Sequence, residues 1–259
     1  MCDIYSQKSL YRNFFPLNKP TLFTCLSPAL LDLYDVSNGV VVIIDVLRAT
    51  STMATALHNG AKDIVPVDSV VDCIRIGREL NCITAGERDG QIAEGLQYGN
   101  SPFEYPTEFV KGKTLVLTTT NGTKLLHMAQ ARGAQEIITG SFPNLSVVCD
   151  HLLNRNKNVI LACAAWKDRV NLEDTLFAGA VIHRIKANFT IECDSSQMAE
   201  SLYFTASPDL YAFMKERNAT HYHRLTKYHL EKDIRYCLSA DNAPSLPLYS
   251  SGKLINAVP

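Results

Sequence analysis

Three short apolar runs constrain this chain more than any other feature. They are Gly39-Val-Val-Val-Ile-Ile-Asp45, Lys113-Thr-Leu-Val-Leu-Thr118 and Asn158-Val-Ile-Leu-Ala-Cys-Ala164. Each is short, rich in β-branched residues and nearly continuous, the pattern of a strand covered on both faces. Each then passes through small or polar residues into a helical pattern: MATALHNG, KLLHMAQARG and TLFAGAVIHRI. Strand, polar loop and helix, three times over, predict a three-layer α/β/α fold with a mixed, largely parallel sheet. Loops after the C-terminal ends of such strands should gather on one side, where open α/β sheets bind ligands. Asp45, Asn121 and Arg169 would all approach that side. This convergence is the first reason to read the chain as an enzyme.

The first two units align with each other at one constant offset. Asp45-Val-Leu-Arg-Ala-Thr50 falls on Thr118-Thr-Thr-Asn-Gly-Thr123, and Gly60-Ala-Lys-Asp-Ile-Val65 on Gly133-Ala-Gln-Glu-Ile-Ile138. Gly60 and Gly133 read as residues just past helix ends. The expected organisation is one domain over 1–259, with a possible duplication of units near 40–65 and 113–138. Glycines at 86, 90, 95 and 99 make the stretch between these units a hairpin or long turn. Residues 209–217 and 221–238 read as helices, and the tail after 240, with Pro244 and Pro247, as extended over the surface or a neighbouring element.

Lys+Arg number 25 against 26 Asp+Glu, a net charge of −1, so the basic excess of a nucleic-acid binder is missing. Hydrophobic residues make up 46% and charged residues 20%, which is globular composition rather than disorder. The eight cysteines include no CxxC pair and read as reduced, mostly buried thiols. The N-terminus lacks a secretory pattern, and no apolar stretch reaches the length of about 18 residues that a membrane span needs. A cytoplasmic protein with no membrane partner is the expectation, and a homodimer is the base-rate one.

Asp45 ends an apolar strand, where a carboxylate needs a reason to be: a helix cap, an ion pair with Arg48, or a metal beside an anion. Thr50, Ser51 and Thr52 open the next helix. Thr119, Thr120, Asn121, Gly122 and Thr123 repeat the theme, and helix starts lined with hydroxyls either cap themselves or bind anions. Glu87 and Arg88 sit among glycines, and Arg169, Glu173 and Asp174 follow the third strand. Acids in a first helical turn also suit the helix dipole. Asp45, Glu87, Glu173 and Asp174 are therefore the candidate metal ligands. Arg48, Arg88 and Arg169 are the candidate anion clamps. Oxygen ligands without a Cys/His set suit Mg²⁺ better than Zn²⁺, and three arginines suit a small, multiply anionic substrate such as a phosphate ester. The spacing of His221, His223 and His229 is poor for one helical face and gives little support to a histidine metal site.

GxxxxGK[ST], GxGxxG after the first strand, GxSxG and Cys-x5-Arg are all absent, and Asp45 has no second Asp at 47. The usual NTPase, dinucleotide, hydrolase and phosphatase signatures are thus excluded.

The segments VVIIDVLRATST at 41–52, AGERDG at 85–90, GNSP at 99–102, TTTNGT at 118–123, EDTLFAG at 173–179 and the terminal RLTKYHLEKDIRYCL resemble the 2-phosphosulfolactate phosphatase, or ComB, family. The resemblance spans about residues 38–250. It implies a three-layer α/β/α fold and Mg²⁺-dependent hydrolysis of 2-phospho-3-sulfolactate, a step toward coenzyme M. Joined to the residue inventory above, it leads us to expect catalysis from Asp45, Arg48, Glu87, Arg88, Asn121, Arg169 and Asp174. Substrate binding falls to Arg48, Thr50, Ser51, Thr52, Arg88, Asn100, Arg169 and the 119–123 loop. Two stretches depart from the pattern: Leu96-Gln97-Tyr98 stands where an acidic stretch is usual, and Ala165-Trp166 where glycine is common. A phosphatase for another small phosphorylated acid, or a non-catalytic anion binder, are the alternatives.

Overall fold

The computed structural model describes residues 19–88 and 90–258; Cys2, the N-terminal segment read above and Asp89 of the AGERDG motif lie outside them. Ten strands form one sheet: β1 Leu22–Cys25, β2 Gly39–Ile44, β3 Asp63–Val67, β4 Ile83–Arg88, β5 Gln91–Ile92, β6 Thr114–Thr118, β7 Glu136–Gly140, β8 Asn158–Cys163, β9 Pro247–Ser250 and β10 Lys253–Asn256. The helices are α1 Ala49–His58, α2 Val70–Leu80, α3 Thr107–Val110, α4 Gly122–Ala131, α5 Leu145–Arg155, α6 Leu172–Ile185, α7 Asp194–Ala206, α8 Leu210–Glu216, α9 Thr220–Thr226 and α10 Glu231–Cys237. The expected mixed α/β architecture is present, and the three apolar runs are β2, β6 and β8.

Strand order is β1-β8-β2-β7-β9-β10-β3-β6-β4-β5. The segment β1-β8-β2-β7 is parallel throughout, as is β3-β6-β4. Three antiparallel ladders separate these blocks, so their strands run in opposite senses. This differs from the single parallel direction that would gather every loop at one edge. Convergence has another cause here. The crossovers β2–α1–β3 and β6–α4–β7 each carry the chain from one block to the other, and the starts of α1 and α4 meet. A methyl group on Gly122 would lie 2.9 Å from Oδ2 of Asp45 and 3.2 Å from Cβ of Ala49. Only glycine permits this approach.

Burial on both faces of β2 explains its unbroken apolar run. Val40, Val42 and Ile44 pack with Leu176, Phe177 and Val181 of α6. Val41 and Ile43 pack on the other face with Met53 of α1 and Leu125 of α4. Each such side chain contributes about 1.5–3 kcal/mol by leaving water.

Two expectations are corrected. The tail does not lie over the sheet: β9 and β10 form a hairpin inserted in its middle, joining the two blocks. Its turn, Ser251-Gly252, has φ of 50° and 83°. Positive φ at both central residues is the two-residue turn geometry that suits strand twist. The 221–238 helix is two helices, because the chain turns between α9 and α10 with His229 left-handed at φ 57°. Among the described residues no helix is long and apolar enough to cross a membrane.

Candidate active site

The start of α1, the 118–123 loop, the β4–β5 hairpin and α9 enclose a small pocket. Asp45, Arg48, Glu87, Asn100, Asn121, His221 and Arg224 supply its polar wall, and Leu47 and Leu225 its apolar one.

The hydroxyls expected to meet an anion are mostly used by the protein itself. Thr50 Oγ1 donates to the Gly140 carbonyl (2.9 Å), Ser51 Oγ to Val46 (2.8 Å) and Thr52 Oγ1 to Asn100 (3.0 Å). Thr119 and Thr123 bond each other's backbone amides, and Thr120 Oγ1 donates to Oε1 of Glu87 at 2.9 Å. They fix the loops. The two side-chain amides are different. Asn121 faces the pocket, and Oδ1 of Asn100, a residue only 3% exposed, has no partner among the described residues.

The four acids divide in the same way. Asp174 accepts from the Val46 amide (2.8 Å), the Ala165 amide (3.1 Å) and Nδ2 of Asn171 (2.9 Å). It buckles the loop after β2 to the loop after β8 and is absent from the pocket wall. Glu87 accepts from Gly90 and Thr120, which holds the hairpin against the 118–123 loop. Asp45 receives no hydrogen bond from another side chain among the described residues. Burial first, then the Glu87 and Glu173 charges, push its pKa from 3.8 to about 6, with the Ala49 amide, and His221 whenever it carries a second proton, acting in the opposite direction. Burial and like charges both disfavour the ionised carboxylate. Glu173 bonds His221 through Oε1, while its buried Oε2 has no partner among the described residues. The uncommitted oxygens of Asp45 and Glu173 are thus the donors a cation would meet. Among the described residues no three His, Cys, Asp or Glu side chains converge into a ready-made metal cluster.

Of the arginines, Arg48 reaches the pocket but is bound to Asp233 at 2.5 Å, with side chains only 5% and 6% exposed. Arg88 donates to the Glu87 carbonyl (2.6 Å) and Thr118 Oγ1 (3.2 Å) and stands outside the pocket wall. Arg169 does not join the others: it is exposed, at the end of a tight turn in which Trp166 and Arg169 exchange backbone hydrogen bonds of 2.9 and 3.0 Å. The departures from the family pattern also find their places. Leu96, Gln97 and Tyr98 run beside β4, where Gln97 Oε1 accepts from the Thr84 amide, and none lines the pocket. Ala165 sits at φ 56°. A Cβ is strained in that left-handed conformation and glycine is not. Ala165→Gly should therefore stabilise the fold by about 1 kcal/mol, read as a higher urea midpoint at unchanged slope.

Three residues that lie in the quoted segments, but to which the sequence assigns no role, complete the site. Arg224 donates to Nε2 of His221 at 2.9 Å. A guanidinium can only donate, so Nε2 is the accepting nitrogen and the ring proton sits on Nδ1, toward Glu173. Trp166 lies edge-on to His221 (6.2 Å) and beneath the Arg224 guanidinium (5.3 Å). Asp233 fixes Arg48. The available signal was local: His221 and Arg224 are three apart, hence neighbours on one helix face.

A family model described as 2-phosphosulpholactate phosphatase matches residues 25–252. A probable 2-phosphosulfolactate phosphatase of Caldanaerobacter subterraneus is 37% identical over 224 residues, 84% of this chain and 90% of its own length. Proteins of the same description from Thermotoga maritima and Clostridium acetobutylicum are 38% and 35% identical, covering 83% and 85% of this chain and 90% and 93% of theirs. With its fold, the pocket at Asp45 and these matches taken together, the chain belongs to the 2-phosphosulfolactate phosphatase family.

Proposed function

We propose that this protein is a Mg²⁺-dependent phosphatase that hydrolyses 2-phospho-3-sulfolactate to 3-sulfolactate and phosphate. The observation that carries the reading is the meeting of Asp45 and Glu87 with Arg48 and Arg224 in the wall of one small pocket, with Glu173 behind it bonded to the pocket residue His221. A site built only to bind an anion gains nothing from carboxylates in its wall. Acids beside arginines suit a phosphoryl group held together with a cation.

The residues fit Mg²⁺. The ion prefers oxygen donors and is commonly held by one or two carboxylates, with waters and substrate phosphate completing its shell, so a three-ligand cluster is not required. Asp45 and Glu173 would hold it, and bound there it would supply Lewis-acid polarisation of a phosphoryl oxygen. The chain's own groups do the rest. Arg48, its charge balanced by Asp233, contributes a fixed guanidinium to the pocket wall. The amides of Asn100 and Asn121 orient the phosphoryl oxygens. Leu47 and Leu225 exclude bulk water, which strengthens each of these interactions.

Phosphate release from 2-phospho-3-sulfolactate, phospholactate and phosphoglycerate tests the substrate. Preference for the sulfonate is the expected result. Faster release from one of the other two would keep the phosphatase and replace its substrate.

A further inference from the structure

We propose that Arg224 holds the second anionic group of the substrate, and so selects phosphate esters that carry a sulfonate or carboxylate beside the phosphoryl group. The inference rests on the phosphatase reading above for the reaction, but not for the binding.

Four arginines compete for this role, and their surroundings separate them. Arg48 is neutralised by Asp233, Arg88 is bonded to β4 and β6 outside the pocket wall, and Arg169 is exposed in its turn. Arg224 alone lines the pocket with no carboxylate within ion-pair distance among the described residues. Among the described residues its one side-chain hydrogen bond goes to Nε2 of His221. Its Nε is buried and has no acceptor among the described residues. A buried donor without a partner is costly and points to an acceptor that arrives with a ligand. The Arg224 guanidinium carbon lies over the Trp166 ring, 5.3 Å from its centre. That contact supplies no oxygen or nitrogen acceptor, so the fork still has a donor to offer a paired-oxygen anion. Placed in the same wall as Asp45 and Glu87, this fork lies within one small molecule's reach of the acidic side of the pocket.

Trp166 is the only tryptophan in the chain, so its fluorescence reports occupancy at Arg224 without any catalysis. In titrations with 3-sulfolactate, malate and inorganic phosphate, the first two should give saturable changes in the wild type. In Arg224→Gln the dissociation constant for 3-sulfolactate should rise about 30-fold or more, with a much smaller change for phosphate. Malate falling in parallel would define the site as a general anion clamp, and malate failing to bind the wild type as a sulfonate site; both support the proposal. In turnover, KM for 2-phospho-3-sulfolactate should rise by about the same factor while kcat is largely kept. Arg224→Lys, which keeps the charge and loses the fork, should lose about tenfold and covers the case in which the Gln variant does not fold. Equal losses for 3-sulfolactate and phosphate, or none for either, would overturn the proposal. Arg224-dependent binding of 3-sulfolactate without phosphate release from its ester would keep this assignment and overturn the phosphatase reading. Release unaffected by Arg224→Gln would do the reverse.

Discussion

Asp45→Asn should lose turnover by about a thousandfold and, in metal-free protein near pH 8, unfold at a higher denaturant concentration than the wild type. The two effects have one cause. Asp45 is 8% exposed, and burial with the charges of Glu87 and Glu173 lifts its pKa from 3.8 to about 6. A carboxyl group with a raised folded pKa binds more protons in the folded state than in the unfolded one. Its contribution to stability is therefore fully present below about pH 4 and is lost as pH rises through about 6. Above that range the buried charge costs the metal-free fold about 3 kcal/mol, which the isosteric amide largely recovers. The same amide removes the charge that a cation requires. Urea titrations at about pH 5 and pH 8, beside phosphate-release assays, check both halves. Loss of activity together with loss of stability would make Asp45 a structural residue instead.

The largest effect on stability is expected from Asp233→Ala. It strands the Arg48 guanidinium, which keeps only a 3.3 Å contact to the Gly90 carbonyl, in a place from which water is excluded. Breaking a buried pair from one side costs about 3–5 kcal/mol, whereas replacing both members with apolar residues is often near neutral. Asp233→Ala should accordingly lower the urea midpoint sharply, and the Arg48→Met/Asp233→Leu double variant should recover most of it. Activity should not return in the double variant, because Arg48 also faces the pocket. Full recovery of activity would reduce the pair to a scaffold element.

The strands that build the floor of this site were legible because burial on both faces leaves an unmistakable apolar run, as in Val40–Ile44. The pocket acids and Asn121 could also be read, from polar residues standing where such runs end. The division of labour among them could not. Thr50, Ser51 and Thr52 present the same hydroxyls whether they bond a ligand or a nearby carbonyl, and only the path of the Gly140, Val46 and Asn100 backbone decides for the carbonyl. Arg48 looks like an anion clamp until Asp233, far along the chain, is seen against it. His221 and Arg224 become pocket residues because α9 meets the start of α6, where His221 bonds Glu173, a long-range contact that helical periodicity does not encode. The same holds for β9 and β10, whose proline-flanked sequence reads as a tail until the gap between the two parallel blocks is known.

The most direct test of the account is a magnesium titration of phosphate release from 2-phospho-3-sulfolactate at about pH 8 and about pH 5. The account predicts no release in EDTA, full recovery on adding Mg²⁺, and a several-fold higher half-saturating Mg²⁺ concentration at the lower pH, where Asp45 holds a proton that the ion must displace. Release that persists in EDTA and is indifferent to Mg²⁺ at both pH values would contradict it.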